Sequence, residues 1–410
     1  MAANRLLEAG RPAAAHIRVA ARASLDIRHV VIDDAGPHPS AANGIHHVVR
    51  KIAREQIAAG DDPRIIILRR PNMAGEPEPV DLPTLILPLD GPMLMGHMVG
   101  IVPQIVAALT AGAGPETMFH IHTARQPVLT SLVRELERRG LAFGITVHGR
   151  YSHVVDRAGR IANWKSALYV RLVERRALEK ARFVQAVSTA EAQVIRRLAP
   201  RARIQVIPNA AYSSALDVMP PAPRRRASFA DFPTFGFCGR YAIVHKGLDL
   251  LIEGFAAYRR GGGQGRLVLI GSGPARDVIC AMANTFGLGD AVEINGACFG
   301  DEKRRRMAQW DYFVQPSRFD GVPIGALEAA LSGLPLLVSA ETGLDGPVNA
   351  TGAGFVLTAL TPEAIAAAFS QAAALSTEAW DAMALAAYGM AVEIGDWTPI
   401  AETLRRHYLA

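Results

Sequence analysis

Short β-branched and aliphatic runs alternate with longer segments of helical apolar spacing along most of the chain. The first run covers residues 27–32, and the first helical segment covers residues 44–59. Further strands are predicted at 65–68, 84–87, 118–122, 143–147, 183–187 and 204–207, and further helices at 97–110, 127–139, 164–181 and 190–198. Alternation of this kind predicts parallel, doubly wound sheets with helices on both faces.

The alternation stops at residues 220–226, which combine prolines with three consecutive arginines. Such a segment is typical of an interdomain linker. Beyond it, strands are predicted at 234–238, 266–270, 292–295, 312–315 and 336–339. We therefore expect two α/β domains facing a central cleft. The expected boundaries are 1–25 for an N-terminal extension, 26–210 for the first domain, 211–230 for the linker, 231–392 for the second domain and 393–410 for a helix that packs back on the first.

Composition excludes several classes of protein. The chain has 410 residues, of which 50% are hydrophobic, so it is long and apolar enough for two cores. Residues 98–113 are interrupted by Pro103 and Gln104 and are too short to span a membrane. Three cysteines indicate a reducing, cytoplasmic location. The net charge of +6 suits an anionic nucleotide or an acidic membrane surface, whereas 6% aromatic residues and the lack of a recognised motif argue against nucleic acid.

Two carboxylates, Asp320 and Glu328, lie eight positions apart on either side of a predicted helix start. The turn between them contains Gly321, Val322, Pro323 and Ile324. If the helix begins near Pro323, its first amides and the positive end of its dipole lie between the two acids. This pattern predicts a sugar diphosphate site, with amides for the phosphates and one acid for each flanking sugar.

Two cations, Arg240 and Lys246, follow the first predicted strand of the second domain. The carboxyl ends of strands are where open α/β sheets bind ligands. Arginine can hold two phosphate oxygens at once, and lysine adds a compact charge. The Gly271–Gly273 turn after the next strand is a weaker signal, since such turns are common in α/β folds.

Together these motifs resemble the retaining GT-B glycosyltransferases of family 4, also called group 1. The resemblance covers roughly residues 26–408 and implies two Rossmann-like domains. It also implies a reaction that moves sugar from a nucleoside diphosphate sugar to a hydroxyl acceptor. By the same resemblance, Arg240 and Lys246 would hold the diphosphate, Glu328 the ribose hydroxyls and Asp320 the transferred sugar.

The first domain adds weaker similarities. Residues 146–149 resemble the family's Thr-x-His-Gly segment, which implies that His148 contacts the donor sugar and belongs with the catalytic residues. Gly44 resembles the family's glycine loop, which lies near the donor phosphates or the acceptor, and Gly271 would belong to the nucleotide-binding lobe. Because the family needs no bound metal and the chain has no Asp-x-Asp, we expect neither metal nor cofactor. The expected donor is UDP- or GDP-linked.

His120 and His122 point to the same face of a predicted strand, but two ligands fall short of a usual metal site. The helix predicted at 164–180 carries Trp164, Leu168 and Leu172 at i, i+4 spacing, among basic residues. It either covers a sheet or lies on an anionic membrane and presents a lipid-linked acceptor. The expected partners are therefore the donor, a glycan or lipid-linked acceptor and, in the second case, the inner membrane surface.

Two departures from the family pattern keep rival functions open. The first acid is usually glutamate but is Asp320 here, and residues 209–212 lack the glycine and aspartate of the family's hinge segment. One rival is another GT-B enzyme, such as a sugar-nucleotide epimerase or a phosphorylase. The other is a non-catalytic subunit that only binds the donor.

Overall fold

The computed structural model describes residues 23–33, 44–69, 81–94, 97–98, 100–151, 154, 163–214, 216 and 232–410. Most of the predicted N-terminal extension and most of the predicted linker lie outside these residues. The described chain forms two parallel sheets covered by helices, which confirms the predicted fold class.

The first sheet has seven strands in the order β3-β2-β1-β6-β7-β8-β9, all parallel. The strands of the first half are β1 (Asp26–Asp33), β2 (Asp62–Arg69), β3 (Thr84–Pro88), β4 (Met93–Leu94), β5 (His97–Met98), β6 (Met118–His122), β7 (Ala142–Thr146), β8 (Val184–Ala186) and β9 (Ile204–Val206). Strands β4 and β5 form a separate antiparallel hairpin. The central strands are buried along their whole length, as expected between two helical layers.

Among the described residues, the helices of the first half of the chain are α1 (Gly44–Ala58), α2 (Pro103–Thr110), α3 (Val128–Arg138), α4 (Trp164–Tyr169), α5 (Arg175–Lys180) and α6 (Thr189–Leu198). The predicted helix at 97–110 is too long, because Pro103 occupies a first-turn position and the helix starts there. A π-helical segment, Val170–Glu174, joins α4 to α5. Ser188 caps α6 by accepting a hydrogen bond from the Glu191 amide at 3.2 Å.

The second sheet has six parallel strands in the order β12-β11-β10-β13-β14-β15. They are β10 (Thr234–Cys238), β11 (Arg266–Ile270), β12 (Val292–Asn295), β13 (Tyr312–Gln315), β14 (Leu336–Val338) and β15 (Gly354–Val356). The helices are α7 (Ile243–Lys246), α8 (Leu248–Arg260), α9 (Arg276–Thr285), α10 (Gly300–Met307), α11 (Ile324–Leu331), α12 (Asp345–Thr351), α13 (Pro362–Ala373), α14 (Thr377–Ile394) and α15 (Trp397–Leu409). The strand order reverses between β10 and β13, so their carboxyl ends border the crevice where such sheets bind ligands.

The last helix, α15, returns to the first domain. Its buried face, which includes Trp397 and Tyr408, packs in one apolar cluster with Ile27 and Ile52. The outgoing and returning chain segments run side by side at the crossing, where Tyr212 donates its amide to the Gly395 carbonyl at 3.1 Å. In the described chain, we find no helix that is both long and apolar enough to cross a bilayer.

The two domains also touch across the cleft. A Cβ atom placed on Gly321, in the second domain, would lie 2.4 Å from Cγ2 of Val187 in the first. A Cβ atom placed on Gly343 would lie 3.8 Å from Cβ of Ser188 in the first domain and 3.8 Å from Cγ2 of Val322. The absence of a side chain at Gly321 therefore permits a closed cleft.

Candidate active site

The predicted donor segments meet at the switch point of the second sheet. Arg240 follows β10, and the loop that contains Asp320 follows the adjacent β13. Gly247 ends the one-turn helix α7 with φ of 64°, and a Cβ there would lie 2.1 Å from the Pro316 carbonyl oxygen. Glycine at this position therefore lets the Lys246 segment lie directly against the Asp320 loop.

Lys246 and Asp320 form an ion pair in a half-buried setting. Lys246 Nζ lies 2.5 Å from Asp320 Oδ2, and the Ser317 hydroxyl donates to the same oxygen at 3.0 Å. Gln315, at the end of β13, donates its amide to the Ser317 oxygen at 2.7 Å. Ser317 and Gln315 are fully buried, and their hydrogen bonds fix the position of the Asp320 carboxylate. Sequence reasoning did not assign a role to either residue.

Glu328 lies on α11 and pairs with a lysine that sequence reasoning missed. Lys303 Nζ lies 2.7 Å from both carboxylate oxygens of Glu328. The carboxylate raises the pKa of Lys303 against the lowering effect of burial, which is the largest single influence. Lys303 comes from a run of charged residues on α10, and such runs usually face solvent, so the sequence contained no local signal for it.

The start of α11 lies between these two ion pairs. Pro323 precedes the helix in an extended conformation, and Ile324 is the first helical residue. Val322 has a φ of 36°, unusual for a β-branched residue, and its amide donates to the Thr342 carbonyl at 3.0 Å. Because the first amides of a helix lack intrahelical acceptors, the turn offers donors to an anion here.

Arg240 and Gly271 take no part in these ion pairs. Arg240 is exposed and forms no hydrogen bond or ion pair within the described residues. A Cβ on Gly271 would lie 1.9 Å from the Gly239 carbonyl oxygen, so this glycine packs the β11 turn against the turn that contains Arg240. Its direct role in the structure is close packing.

The first domain faces this site with His148 and α1. His148 follows β7 with φ of 51°, and its Nε2 lies 3.0 Å from Nδ1 of His122. Burial lowers the pKa of His148 to about 3. At the start of α1, no atom of the described residues lies within 4 Å of a Cβ placed on Gly44. One turn later lies His47, whose pKa is lowered chiefly by burial and is also affected by the charges of Glu328 and Lys303. Sequence reasoning missed His47.

A second arginine approaches from the first domain. Arg125 follows β6 with φ of 59°. Burial lowers the pKa of His245, beside Lys246, and the Arg240, Lys246 and Arg125 charges lower it further, while Asp320 opposes them. Within the described chain, Arg125, His148 and Val322 are the non-glycine residues with left-handed backbone, and all three lie at the cleft. Such strained residues concentrate at functional sites.

A buried histidine cluster lies behind His148. One ring nitrogen from each of His29, His120 and His122 falls within 4.8 Å of the other two, which is close enough for a metal ion. Every ring nitrogen of these three residues, however, has a hydrogen-bond partner within the protein. These imidazoles therefore form a hydrogen-bonded set. That the protein needs no metal stays a prediction.

Comparisons with known proteins agree with this geometry. The model of the "Glycosyltransferase Family 4" matches residues 42–211, and the model of the "Glycosyl transferases group 1" matches residues 232–374. Together the two matches cover most of the chain, each on one side of the cleft. The protein is a family 4 (group 1) glycosyltransferase with the GT-B fold.

Two curated proteins are similar to this glycosyltransferase over different shares of its length. A 2-deoxystreptamine N-acetyl-D-glucosaminyltransferase of Streptomyces fradiae is 26% identical over 342 residues, which are 75% of this chain and 77% of that protein. A GDP-mannose-dependent α-(1-6)-phosphatidylinositol monomannoside mannosyltransferase of Mycobacterium tuberculosis is 26% identical over 155 residues, which are 36% of this chain. The match spans only 40% of the mannosyltransferase.

The fold is shared with a solved structure over nearly its whole length. The sucrose-phosphate synthase of Thermosynechococcus elongatus superimposes with a TM-score of 0.70 at 21% identity, covering 93% of this glycosyltransferase and 98% of the synthase. At this identity the similarity concerns the fold alone.

Proposed function

We propose that this glycosyltransferase moves a hexosyl or N-acetylhexosaminyl group, with retention of anomeric configuration and without a metal, from a UDP- or GDP-linked donor to a hydroxyl acceptor. Family membership supports the use of a nucleotide sugar. The acceptors we propose belong to polysaccharide or glycolipid synthesis.

The observation that carries the proposal is the pair of lysine–carboxylate contacts on either side of the start of α11. Lys246–Asp320 and Lys303–Glu328 both lie at the switch point of the sheet, and each is mostly shielded from solvent. A purely structural role would be met by apolar packing at lower desolvation cost. Two such pairs beside a helix start suit a ligand with two phosphates and two polyhydroxyl rings.

In this proposal the donor diphosphate binds Arg240, Lys246 and the first amides of α11. Lys246 then exchanges part of its contact with Asp320 for a phosphate, which leaves Asp320 free to accept hydrogen bonds from the transferred sugar. Glu328 holds the ribose hydroxyls, and His148 contacts the sugar from the other side of the cleft.

Transfer follows from this placement. As the bond between the sugar and the diphosphate breaks, negative charge grows on the departing phosphate, and Lys246 and Arg240 oppose it in a water-poor cleft. The departing phosphate accepts the proton of the acceptor hydroxyl, which attacks the same face of the sugar. Closure around Gly321 and Val187 limits hydrolysis of the donor.

Thermal unfolding with UDP, GDP, ADP and their common sugar conjugates tests the donor site. A ligand at about 100 times its dissociation constant adds roughly 2.7 kcal/mol of stability. Arg240→Ala/Lys246→Ala should abolish the shift, whereas Arg260→Ala/Arg266→Ala, at the amino end of β11 and away from the carboxyl ends of the strands, should keep it. A shift that survives the first double variant contradicts the proposed diphosphate site.

Product analysis with Asp320→Glu separates the rival functions. A glycosyltransferase should give an acceptor-dependent product with either acid. An epimerase would convert the donor without an acceptor, and a phosphorylase would require phosphate. Donor binding without turnover in both forms would favour a subunit that only binds.

We propose further that the acceptor is lipid-linked and is met at an anionic membrane surface on the cytoplasmic side. The outer face of α4 and the following π segment supports this. Trp164, Leu168 and Leu172 are 65%, 47% and 76% exposed, so the apolar stripe does not cover the sheet. The buried face of the same segment contains Ala167, Val170 and Glu174 instead.

A basic depression adjoins this apolar stripe. It has a volume of about 210 Å³ and is lined by Arg171, Leu172, Arg175, Arg176, Glu179 and Lys180. Arg175 and Arg176 are paired with glutamates, but Arg171 and Lys180 form no ion pair within the described part of the chain. Positive charge beside exposed leucine and tryptophan favours an anionic bilayer interface.

The same segment is fastened to the cleft. The Glu174 carboxylate accepts hydrogen bonds from the Gln126 amide at 2.8 Å and the Tyr151 hydroxyl at 2.6 Å. Gln126 follows β6 and Tyr151 follows the His148 turn, so a membrane bound to the outer face would lie beside the acceptor side of the site.

Vesicle sedimentation tests the membrane proposal. Binding should be stronger to phosphatidylcholine mixed with phosphatidylglycerol than to phosphatidylcholine alone, and it should weaken with salt. Trp164→Ser/Leu172→Ser should reduce it, while Leu385→Ser, a 57% exposed leucine on α14, should not. Equal sedimentation of all three proteins would contradict the assignment of this surface.

A further inference from the structure

A chain of buried hydrogen bonds leads from a backbone carbonyl in the first domain to His148. Ile207, after β9, presents its carbonyl oxygen to the Gln185 side chain, whose Nε2 donates at 2.9 Å. A carbonyl can only accept, so the amide orientation of Gln185 is set, and its Oε1 accepts from the Thr146 hydroxyl at 2.8 Å. The direction of every later bond follows from this one.

The next bonds cross the sheet to α15. Thr146 has given its single proton to Gln185, so its oxygen accepts from His120 Nε2–H at 2.6 Å. A neutral imidazole has one protonated nitrogen, which leaves Nδ1 of His120 as an acceptor. The Tyr408 hydroxyl therefore donates to that nitrogen, 2.8 Å away. Tyr408 has then no further proton to donate.

The chain turns back at α1. Since the Tyr408 oxygen must accept, Gln56 donates to it through Nε2 at 3.3 Å. The other end of the same amide, Oε1, then accepts from His29 Nε2–H at 2.8 Å. Gln56, Tyr408 and His29 are almost completely buried, so no solvent molecule competes for these bonds.

The last two bonds reach the cleft. His29 Nδ1 has no proton and accepts from His122 Nε2–H at 2.9 Å. His122 Nδ1 likewise accepts from His148 Nε2–H at 3.0 Å. The remaining nitrogen of His148, Nδ1, is therefore unprotonated. It makes no hydrogen bond within the described chain, and the His148 side chain is only partly buried.

All four imidazoles are neutral near pH 7, as this assignment requires. Burial lowers the pKa of His29 to about 4 and that of His148 to about 3. It also lowers the pKa values of His120 and His122 well below the ordinary value, with the neighbouring rings adding to the effect.

We propose that this directional chain makes His148 an obligate hydrogen-bond acceptor, through Nδ1, for a hydroxyl group of the transferred sugar. Gln56 and Tyr408 are then positioning residues. They touch no substrate but set which nitrogen of His148 has the proton. The role of His148 in sugar recognition rests on the proposed function, whereas the protonation pattern does not.

Nitrogen-15 NMR of the histidine-labelled protein tests the pattern without requiring turnover. The His148 signals, identified by their loss in His148→Gln, should show Nε2 protonated and Nδ1 bare. In Gln56→Met the chain loses its direction, and the His148 signals should shift toward a mixture of the two tautomers. Tyr408→Phe should have the same effect and serves if Gln56→Met does not fold.

Thr398→Val is the matched control. It removes the 3.1 Å contact from Thr398 to Glu55. That contact also joins α15 to α1 but is not part of the hydrogen-bond chain. Its His148 signals should match the wild type. A protonated Nδ1 in the wild type, or unchanged signals in both Gln56→Met and Tyr408→Phe, would overturn the proposal.

Donors that lack single sugar hydroxyls test the recognition step. With the wild-type enzyme, one of these deoxy donors should react about tenfold more slowly than the complete donor, because one neutral hydrogen bond is lost. That penalty should shrink in Gln56→Met and stay in Thr398→Val. A uniform response to all deoxy donors would overturn the sugar contact. Failure to use any nucleotide sugar would instead count against the proposed function. The NMR result would still test the direction of the hydrogen-bond chain.

Discussion

The two walls of the cleft are built from opposite kinds of polar contact. On the second domain, ammonium and carboxylate groups pair at loop and helix starts, with Lys246–Asp320 and Lys303–Glu328 partly open to solvent. On the first domain, neutral side chains within the strands form hydrogen bonds out of reach of water, as His29 and His120 do. Charge pairs are strong but have little directionality, whereas neutral hydrogen bonds have a fixed direction.

This difference suits the tasks that the proposed function gives to the two walls. A wall that must receive a charged diphosphate needs ions that can exchange partners when the ligand arrives. A wall that must recognise sugar hydroxyls needs donors and acceptors in a set orientation. We therefore expect substitutions in the second domain to act mainly on donor binding and transfer, and those in the first domain to act on orientation and on the pH dependence of stability.

The largest expected effect is on turnover in Lys246→Met. This variant keeps the length of the side chain but removes the charge that opposes the departing diphosphate, so kcat should fall about 10²- to 10³-fold. Steady-state kinetics with saturating donor measure it, and Arg266→Met, on an exposed strand end, is the control. A decrease below about threefold would mean that Lys246 does not act on the leaving group.

Stability should depend on pH because of the buried imidazoles. Below about pH 6.5 the unfolded His29 ring binds a proton, but the folded ring stays neutral down to its pKa of about 4. The unfolded state then binds more protons, so the free energy of unfolding decreases as pH falls, by about 2 kcal/mol at pH 5 for each such ring. Urea unfolding at pH 7.5 and pH 5 measures this.

His29→Gln should reduce that pH dependence, whereas His245→Gln, in the second domain and outside the buried histidine cluster, should change it much less. An equal slope in all three proteins would show that the first wall does not keep its rings neutral.

A smaller effect is expected for Glu328→Gln. The substitution removes a charged acceptor for the ribose hydroxyls and releases Lys303. Because a charged hydrogen bond of about 1.5 kcal/mol is lost, the dissociation constant of the nucleotide should rise about tenfold. Isothermal titration calorimetry with the preferred nucleotide measures it. Glu253→Gln on α8 is the control, and equal affinities in the two variants would remove Glu328 from the donor site.

The smallest effect concerns the contact between the walls. Gly321→Ala places a methyl group 2.4 Å from the Val187 side chain, so the cleft should close less well at a cost of about 1 kcal/mol. We expect a roughly fivefold lower kcat. Val187→Ala in the same chain should restore it by making room. If the second substitution lowers kcat further, the contact does not limit closure.

Sequence reasoning predicted every strand of the first sheet and missed one strand, β15, of the second. Strands β10 to β13 begin and end where the hydrophobic runs do, and the family motifs lie at their carboxyl ends. The helix at 97–110 was predicted too long, because the apolar spacing continues on both sides of Pro103. Register and strand order follow from packing and cannot be obtained from such local patterns.

The candidate site divides in the same way. Asp320 and Glu328, and likewise Arg240 and Lys246, were predicted as site residues because each pair stands at a short spacing around a strand-to-helix turn. Lys303 was missed because its run of charges resembles any solvated helix face. Gln56 and Tyr408 were missed because 352 residues separate them, although their side chains meet at 3.3 Å.

The amino-acid sequence alone was enough for the two-domain α/β fold and the family, and it supplied the charged groups that we propose for the donor site, because periodicity and short motifs record contacts between near neighbours in the chain. The partner of each charge, the close approach at Gly321 and the direction of the hydrogen bonds that end at His148 required the folded molecule. These depend on which strand lies beside which and on how α15 returns to the first domain, since a donor or an acceptor is defined only by the atom that faces it.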